Sequence, residues 1–234
     1  SRGDIQPYVA LGQGLQRAGC GVCVVTNKDH RELVTTHGLQ VRALDIDVQA
    51  ALRSREASKA IEGGGLIASF RKFAELAKSG AREMVQVGLE ASRDADVVLA
   101  GFSGMLIGAS IAEKLRIPMV QAYNVPLTPT GEFPGALFPW MSFWPRSLSH
   151  RLSHWLTRQM ILQMGRASGD AARVEVLGLP KASVGRILGA EVLRGLPTLY
   201  GFGAAVIPRP ADWGPDVRVT GFWFAEEPSD WAPP

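Results

Sequence analysis

Apolar positions along the chain recur at two spacings. From Pro7, the points Val9, Leu11, Leu15 and Ala18 return every three or four residues and stop at Gly19, which predicts a helix. Proline suits the first turn, where its missing N–H would be unpaired, and glycine suits the end, where φ turns positive. Val22 to Thr26 is a short β-branched run that predicts a buried parallel strand. The same alternation then repeats. Asp29 to His37 reads as a helix ended by Gly38, and Leu39 to Leu44 as a strand. Helical spacing covers about Val48 to Ile61, breaks at Gly63-Gly64-Gly65, and resumes from Ser69 to Ser92. Asp96 to Ala100 is a strand, Gly101 to Gly104 a turn, Met105 to Leu115 a helix and Ile117 to Tyr123 a strand. Alternating strands and helices predict an α/β fold, Rossmann-like, with a doubly wound parallel sheet.

The second half is less regular. Asn124 to Pro145 is a proline-rich loop loaded with apolar and aromatic residues, which argues for an ordered, functional loop. Ser147 to Leu177 reads as a long helical stretch, with breaks expected near Gly165 or Gly169, and Val184 to Leu193 as another helix. Strands are expected at Thr198 to Phe202, Ala204 to Ile207 and Val217 to Thr220. In a βαβ unit, chemistry sits on the loop at the carboxyl end of a strand. Here that loop is Ser1 to Gln6, and the strand that should precede it is missing from the sequence. The strands at Val22 and Asp96 are therefore expected not to pair directly.

Composition narrows the class. Hydrophobic content of 46%, charged content of 20% and a net charge of +3 are those of an ordinary globular chain, and the basic residues are too dispersed to suggest nucleic acid. No run of about 18 apolar residues is present, so no membrane span is expected, although peripheral contact remains open. Cys20 and Cys23 form a lone C-x-x-C, read as reduced structural thiols of a cytoplasmic protein.

The opening Ser1-Arg2-Gly3-Asp4-Ile5-Gln6-Pro7, with Ala10-Leu11-Gly12 behind it, resembles the N-terminal, acceptor-side domain of GT-B family 1 glycosyltransferases, in their sterol glucosyltransferase and antibiotic glycosyltransferase branch. Ala95 to Ala100, Pro126-Leu127-Thr128-Pro129-Thr130, Glu132-Phe133-Pro134, Val176 to Pro180, Pro208 to Trp213 and Val219-Thr220-Gly221-Phe222-Trp223 follow in the order used by that family. The resemblance implies that residues 1–234 are a single acceptor-binding domain, half of a GT-B fold, without the nucleotide-sugar domain that normally follows. It implies inverting transfer of a hexose, from a UDP-glucose-type donor, to a hydroxyl of a sterol, polyketide or other lipid. The nucleotide sugar is then a co-substrate, held mainly by the other domain, and neither a cofactor nor a metal is implied.

Asp4 is the expected catalytic base, because attack by an alcohol on an anomeric carbon needs a group to take the hydroxyl proton. The alternative for Asp4 is a charge placed at the positive end of the helix behind it. Ser1, Arg2 and Gly3 are expected in the same loop, Arg2 against donor phosphate or against Asp4 itself. Arg2-Gly3-Asp4 is also an integrin-like tripeptide, a match that three residues make by chance. Phe102, Ser103, Asn124, Phe133, Leu137, Phe138 and Trp140 are candidates for the acceptor wall, with burial in the domain's own core as the alternative for the aromatics. His150 and His154 share a helix face, but the glutamate of a zinc H-E-x-x-H motif is replaced by Arg151. Gly101-Phe102-Ser103-Gly104-Met105 lacks the last glycine of a hydrolase nucleophile elbow. Two other readings stay open: a binding or scaffold module that has kept the fold, and an α/β hydrolase.

Overall fold

The computed structural model describes residues 2–45, 80–181 and 195–225. The Gly63-Gly64-Gly65 break, the helix expected at Val184 to Leu193 and Ser1 lie outside the described residues. A 3-10 turn, Arg2–Asp4, leads into helix α1 (Gln6–Arg17). Pro7 occupies its first turn, as expected. At the other end Gly19 has φ 88°, and the Gly19 and Cys20 amides donate to Gln16 O and Leu15 O at 2.9 and 3.0 Å. That pattern satisfies the last free carbonyls of a helix. Strand β1 (Cys23–Asn27), helix α2 (Arg31–Thr36) and strand β2 (Gln40–Leu44) follow. Next come the described part of helix α3, 80–91, and strand β3 (Val98–Ala100). Helix α4 (Met105–Leu115), strand β4 (Met119–Tyr123), helix α5 (Arg146–Glu175), strand β5 (Thr198–Tyr200) and strand β6 (Val217–Val219) complete the chain.

All described strand pairs are parallel, in two sheets: β1 beside β2, and β3-β4-β5-β6 in that order. As expected, β1 and β3 are not partners. Two glycines set the helix-to-sheet distances. A Cβ on Gly12 of α1 would lie 2.9 Å from Leu39 Cδ1, and one on Gly108 of α4 would lie 2.8 Å from Ala100 Cβ. The main core gathers Met105, Met119, Tyr123, Leu162, Tyr200, Phe202 and Trp213 between the four-stranded sheet, α4 and α5. A smaller core of Val9, Val34 and Leu39 joins α1 and α2 to the two-stranded sheet. Arg173, near the end of α5, is buried and ties that helix to α4, donating to Glu113 Oε1 at 2.6 Å and to Ser110 Oγ at 3.1 Å.

Three expectations need correction. Strand β1 is not buried along its length: Cys23 and Val25 are exposed, and among the described residues the strand has β2 as its one neighbour. Helix α5 runs unbroken through Gly165 and Gly169. An interior glycine costs only about 1 kcal/mol, less than the packing along the rest of a 30-residue helix supplies. Ala204 to Ile207 is a turn rather than a strand. The Val206 and Ile207 amides both donate to Gly203 O, which closes the backbone on itself and leaves Val206 in solvent.

Candidate active site

The carboxyl ends of β3 to β6 converge on the start of α1. Tyr8, in the first turn of α1, reaches across to this edge. Its hydroxyl donates to Ala122 O at 2.8 Å, at the end of β4, and accepts from the Phe102 amide in the turn after β3. Its ring lies 6.1 Å from that of Trp223, which follows β6. Two glycines make room for this arrangement. A Cβ on Gly101 would sit 2.5 Å from the Tyr8 hydroxyl oxygen. A Cβ on Gly201 would sit 2.7 Å from the Trp223 ring and 2.8 Å from Asn124 Oδ1. Trp223 is held in turn by its indole N–H, which donates to Thr220 Oγ1 at 2.9 Å.

Asp4 lies in the exposed turn Arg2–Asp4 beside this edge, with Arg2 and Gly3. The position that caps α1 is Ile5, whose apolar side chain cannot accept from the first helical amides. The charge of Asp4 reaches the Tyr8 phenol. Burial is the main cause that pushes Tyr8 up to about 12; the Phe102 amide opposes the shift and the Asp4 charge adds to it. The phenol is thus protonated at every physiological pH and acts as a donor.

The expected acceptor residues divide into groups. Phe102 and Ser103 are exposed in the turn after β3, next to Tyr8. Asn124 follows β4, and its Oδ1 is buried without a hydrogen-bond partner. These stand at the same edge as Asp4. Phe133 does not line an open wall: it packs on the main core, its ring 5.8 Å from His154 and 6.4 Å from Trp213. Leu137 and Phe138 are half-buried, and Trp140 projects into solvent with its ring 5.6 Å from Phe138. The loop turns away from the edge because α5 holds it. Gly135 N donates to Ser153 Oγ at 2.7 Å, and a Cβ at Gly135 would lie 2.8 Å from Ser153 O.

His150 and His154 serve the same hold. His150 Nδ1 donates to Gly131 O at 2.9 Å, and its Nε2 is hydrogen-bonded to Ser142 Oγ at 2.9 Å. His154 Nε2 donates to Phe133 O at 3.0 Å. Asp212 adds a second clamp, accepting from Thr130 Oγ1, the Gly131 amide and Arg151 at 2.6, 2.9 and 2.8 Å. Between α5 and the four-stranded sheet lies a cavity of about 270 Å³, whose lining includes Met105, Tyr123, Leu127, Arg158, Leu162 and Val217. Leu127 and Thr128, from the Asn124 to Trp144 loop expected as the acceptor wall, line it, whereas Phe102, Ser103, Asn124, Phe133, Leu137, Phe138 and Trp140 do not. Tyr8 and Trp223 were also missed, although Tyr8 stands one turn beyond Asp4 and Trp223 ends the Thr220-Gly221-Phe222-Trp223 run.

A parallel α/β sheet with a loop carboxylate at its carboxyl edge is the architecture of one half of a GT-B glycosyltransferase. The glycosyltransferase family 28 N-terminal domain matches residues 1–134, and the chain belongs to that family. It is 32% identical, over its whole length, to a sterol 3-beta-glucosyltransferase of Eremothecium gossypii, and covers 18% of that protein. It is 31% identical over its whole length to a sterol 3-beta-glucosyltransferase of Candida albicans, covering 15% of it. The chain thus spans less than a fifth of the length of these curated relatives. Among solved structures, the calicheamicin glycosyltransferase CalG4 superposes over the whole chain and 53% of its own, with a TM-score of 0.62 at 16% identity, which establishes the shared fold.

Proposed function

We propose that this domain is the acceptor half of an inverting hexosyltransferase that moves a sugar from a nucleotide sugar, of UDP-glucose type, to the hydroxyl of a lipophilic acceptor such as a sterol. Asp4 takes the acceptor's hydroxyl proton while the oxygen bonds to the anomeric carbon and the nucleoside diphosphate departs. The observation that carries the reading is the placement of Asp4: exposed at the carboxyl edge and close enough to raise the Tyr8 phenol. Phe102, Ser103 and Asn124 stand ready along the same edge to position an acceptor. A further domain would supply most of the donor contacts, with Arg2 available to the donor's phosphates. The sterol class rests on the likeness to the fungal sterol glucosyltransferases.

The test is Asp4→Asn in the full-length protein, which keeps the shape and removes the basicity. With a nucleotide sugar and a sterol, kcat should fall by about 10²–10⁴-fold while acceptor KM changes little. If Asp4 acted only on the helix dipole, turnover would stay normal and stability would drop by about 0.3–1 kcal/mol. A scaffold module would show no turnover in either form.

A further inference from the structure

The cavity between α5 and the four-stranded sheet stands apart from the edge that carries Asp4. Its floor is one transverse row: Gln121 pairs with Thr198, and Thr198 with Val217, on three adjacent strands. Side chains two residues apart on a strand share a face. The next row on this face, Tyr123, Tyr200 and Val219, therefore lies between the floor and the carboxyl edge. The stacks of Tyr200 on Phe202 and Trp213 close that row further. At the amino ends of β5 and β6 the lining residues Gly195, Gly214 and Asp216 are exposed. The mouth thus opens at the end of the strands away from Asp4.

The wall is chemically selective. Tyr123 is 2% exposed, and its one hydroxyl proton goes to Gln121 Oε1 at 2.8 Å. Its oxygen accepts no hydrogen bond among the described residues, although a phenol oxygen can accept. Burial is the largest cause that raises the Tyr123 pKa, so the group stays a neutral phenol. Thr128 Oγ1 accepts from the Tyr200 hydroxyl at 2.7 Å, and its own proton has no acceptor among the described residues. One acceptor and one donor on the same lining are the complement of a single hydroxyl group. Capacity left unused away from water favours a partner that supplies it. Most of the remaining wall is apolar, with Met105, Leu127, Ile161, Leu162, Leu196 and Val217. The charges of Arg158 and Asp216 on the lining cancel. The volume of about 270 Å³ falls just below the ~300–1,000 Å³ of pockets that enclose drug-sized ligands. It suits one or two rings rather than the four fused rings of a sterol.

We propose that this cavity binds a neutral alcohol or phenol of one or two rings, its hydroxyl donating to the Tyr123 oxygen and accepting from Thr128 Oγ1. Its rings lie against Ile161, Leu162, Leu196 and Val217. The site does not depend on the proposed reaction, and its ligand is not the sugar acceptor. The probe is 2-naphthol, with naphthalene as the same ring system without the hydroxyl. Binding to the full-length protein is measured by fluorescence titration at neutral pH without nucleotide sugar, with thermal unfolding as the check on folding. The parent should bind 2-naphthol at least about tenfold more tightly than naphthalene. Tyr123→Phe keeps the ring and removes the oxygen. It should weaken 2-naphthol by about tenfold and leave naphthalene within about twofold. Leu196→Trp fills the cavity and should abolish binding of both; Val217→Phe fills it from β6 should Leu196→Trp not fold. Phe102→Ala, at the carboxyl edge, should change neither affinity. A parent that binds neither probe, equal affinity for the two, or a folded filling variant that still binds overturns the proposal. So does weaker binding in Phe102→Ala, which would put the probe at the acceptor edge.

Discussion

Tyr200 sits in a strand of three residues yet organises the loop above the sheet. Its hydroxyl accepts from the Leu127 and Thr128 amides at 3.0 and 2.7 Å and donates to Thr128 Oγ1 at 2.7 Å. Its ring stacks on Phe202 and Trp213, both 4.9 Å away. Burial, the largest cause, raises its pKa against the opposing pull of the three Thr128 and Leu127 bonds, so the hydroxyl remains a donor. Tyr200→Phe keeps both stacks and leaves two amides short of a partner, each worth about 1–3 kcal/mol if it stays buried and unpaired. The expected loss is about 2 kcal/mol in urea unfolding. A loss below about 0.5 kcal/mol would mean that the Leu127 and Thr128 amides find other acceptors. The Tyr8 phenol is a different case, since its bonds run between elements rather than within one layer.

At the scale of elements, the Asn124 to Pro145 loop owes its order to α5. Its carbonyls and amides are taken up by Ser149, His150, Ser153 and His154, and Asp212 closes the far side. This makes the hold sensitive to pH. Burial lowers the pKa of His154 below 6.5, partly offset by its bond to Phe133 O, with His150 and Arg158 lowering it and Asp212 raising it. The unfolded chain therefore binds more protons than the folded one as pH falls below about 6.5. The contribution is fully present above that value and is lost as pH drops through the folded pKa. Urea midpoints measured from pH 7.5 down to 5 should decline, and His154→Gln should flatten the decline. An equal slope in the variant would assign it to other groups. Asp212 works in a lower window: burial raises its pKa, but bonds from Thr130 and Gly131 and the charge of Arg151 outweigh this and hold it below 3.8. Its contribution is present above that value and is lost as pH falls further.

At the scale of the molecule, two sheets that do not pair are joined through α1. The Tyr8 hydroxyl spans from α1 to the ends of β3 and β4, and its ring meets Trp223 beyond β6. Tyr8→Phe removes the hydrogen bonds and keeps most of the ring contact. It should cost about 1 kcal/mol. Hydrogen exchange should then rise by about fivefold, mainly in α1, β1 and β2, with β4 and β5 changing less. A uniform rise across both sheets would show that the molecule opens as one unit and that the Tyr8 link has no special place.

The sequence by itself determined the ends of α1 and α2, the bounds of α4, the run of parallel strands and the family. These depend on signals carried by neighbouring residues: Pro7 at a first turn, Gly19 and Gly38 at positive φ, short β-branched runs, and motifs in order. It also placed Asp4 on a loop, where chemistry in such folds resides. Only the tertiary structure decided which faces were covered. Periodicity assigns Leu148, Leu152 and Trp155 to one side of α5 and His150 and His154 to the other, but does not say which side meets the protein. Likewise, Phe133 and Trp140 read alike in the sequence, yet one packs on the core and the other stands in solvent. Tyr8 and Trp223 lie far apart in the chain and meet because glycines at positions 101 and 201 leave space that a Cβ would fill. Local signals act over a few residues, whereas burial is settled by whatever distant segment arrives opposite, and here a polar loop arrived at the polar face of α5.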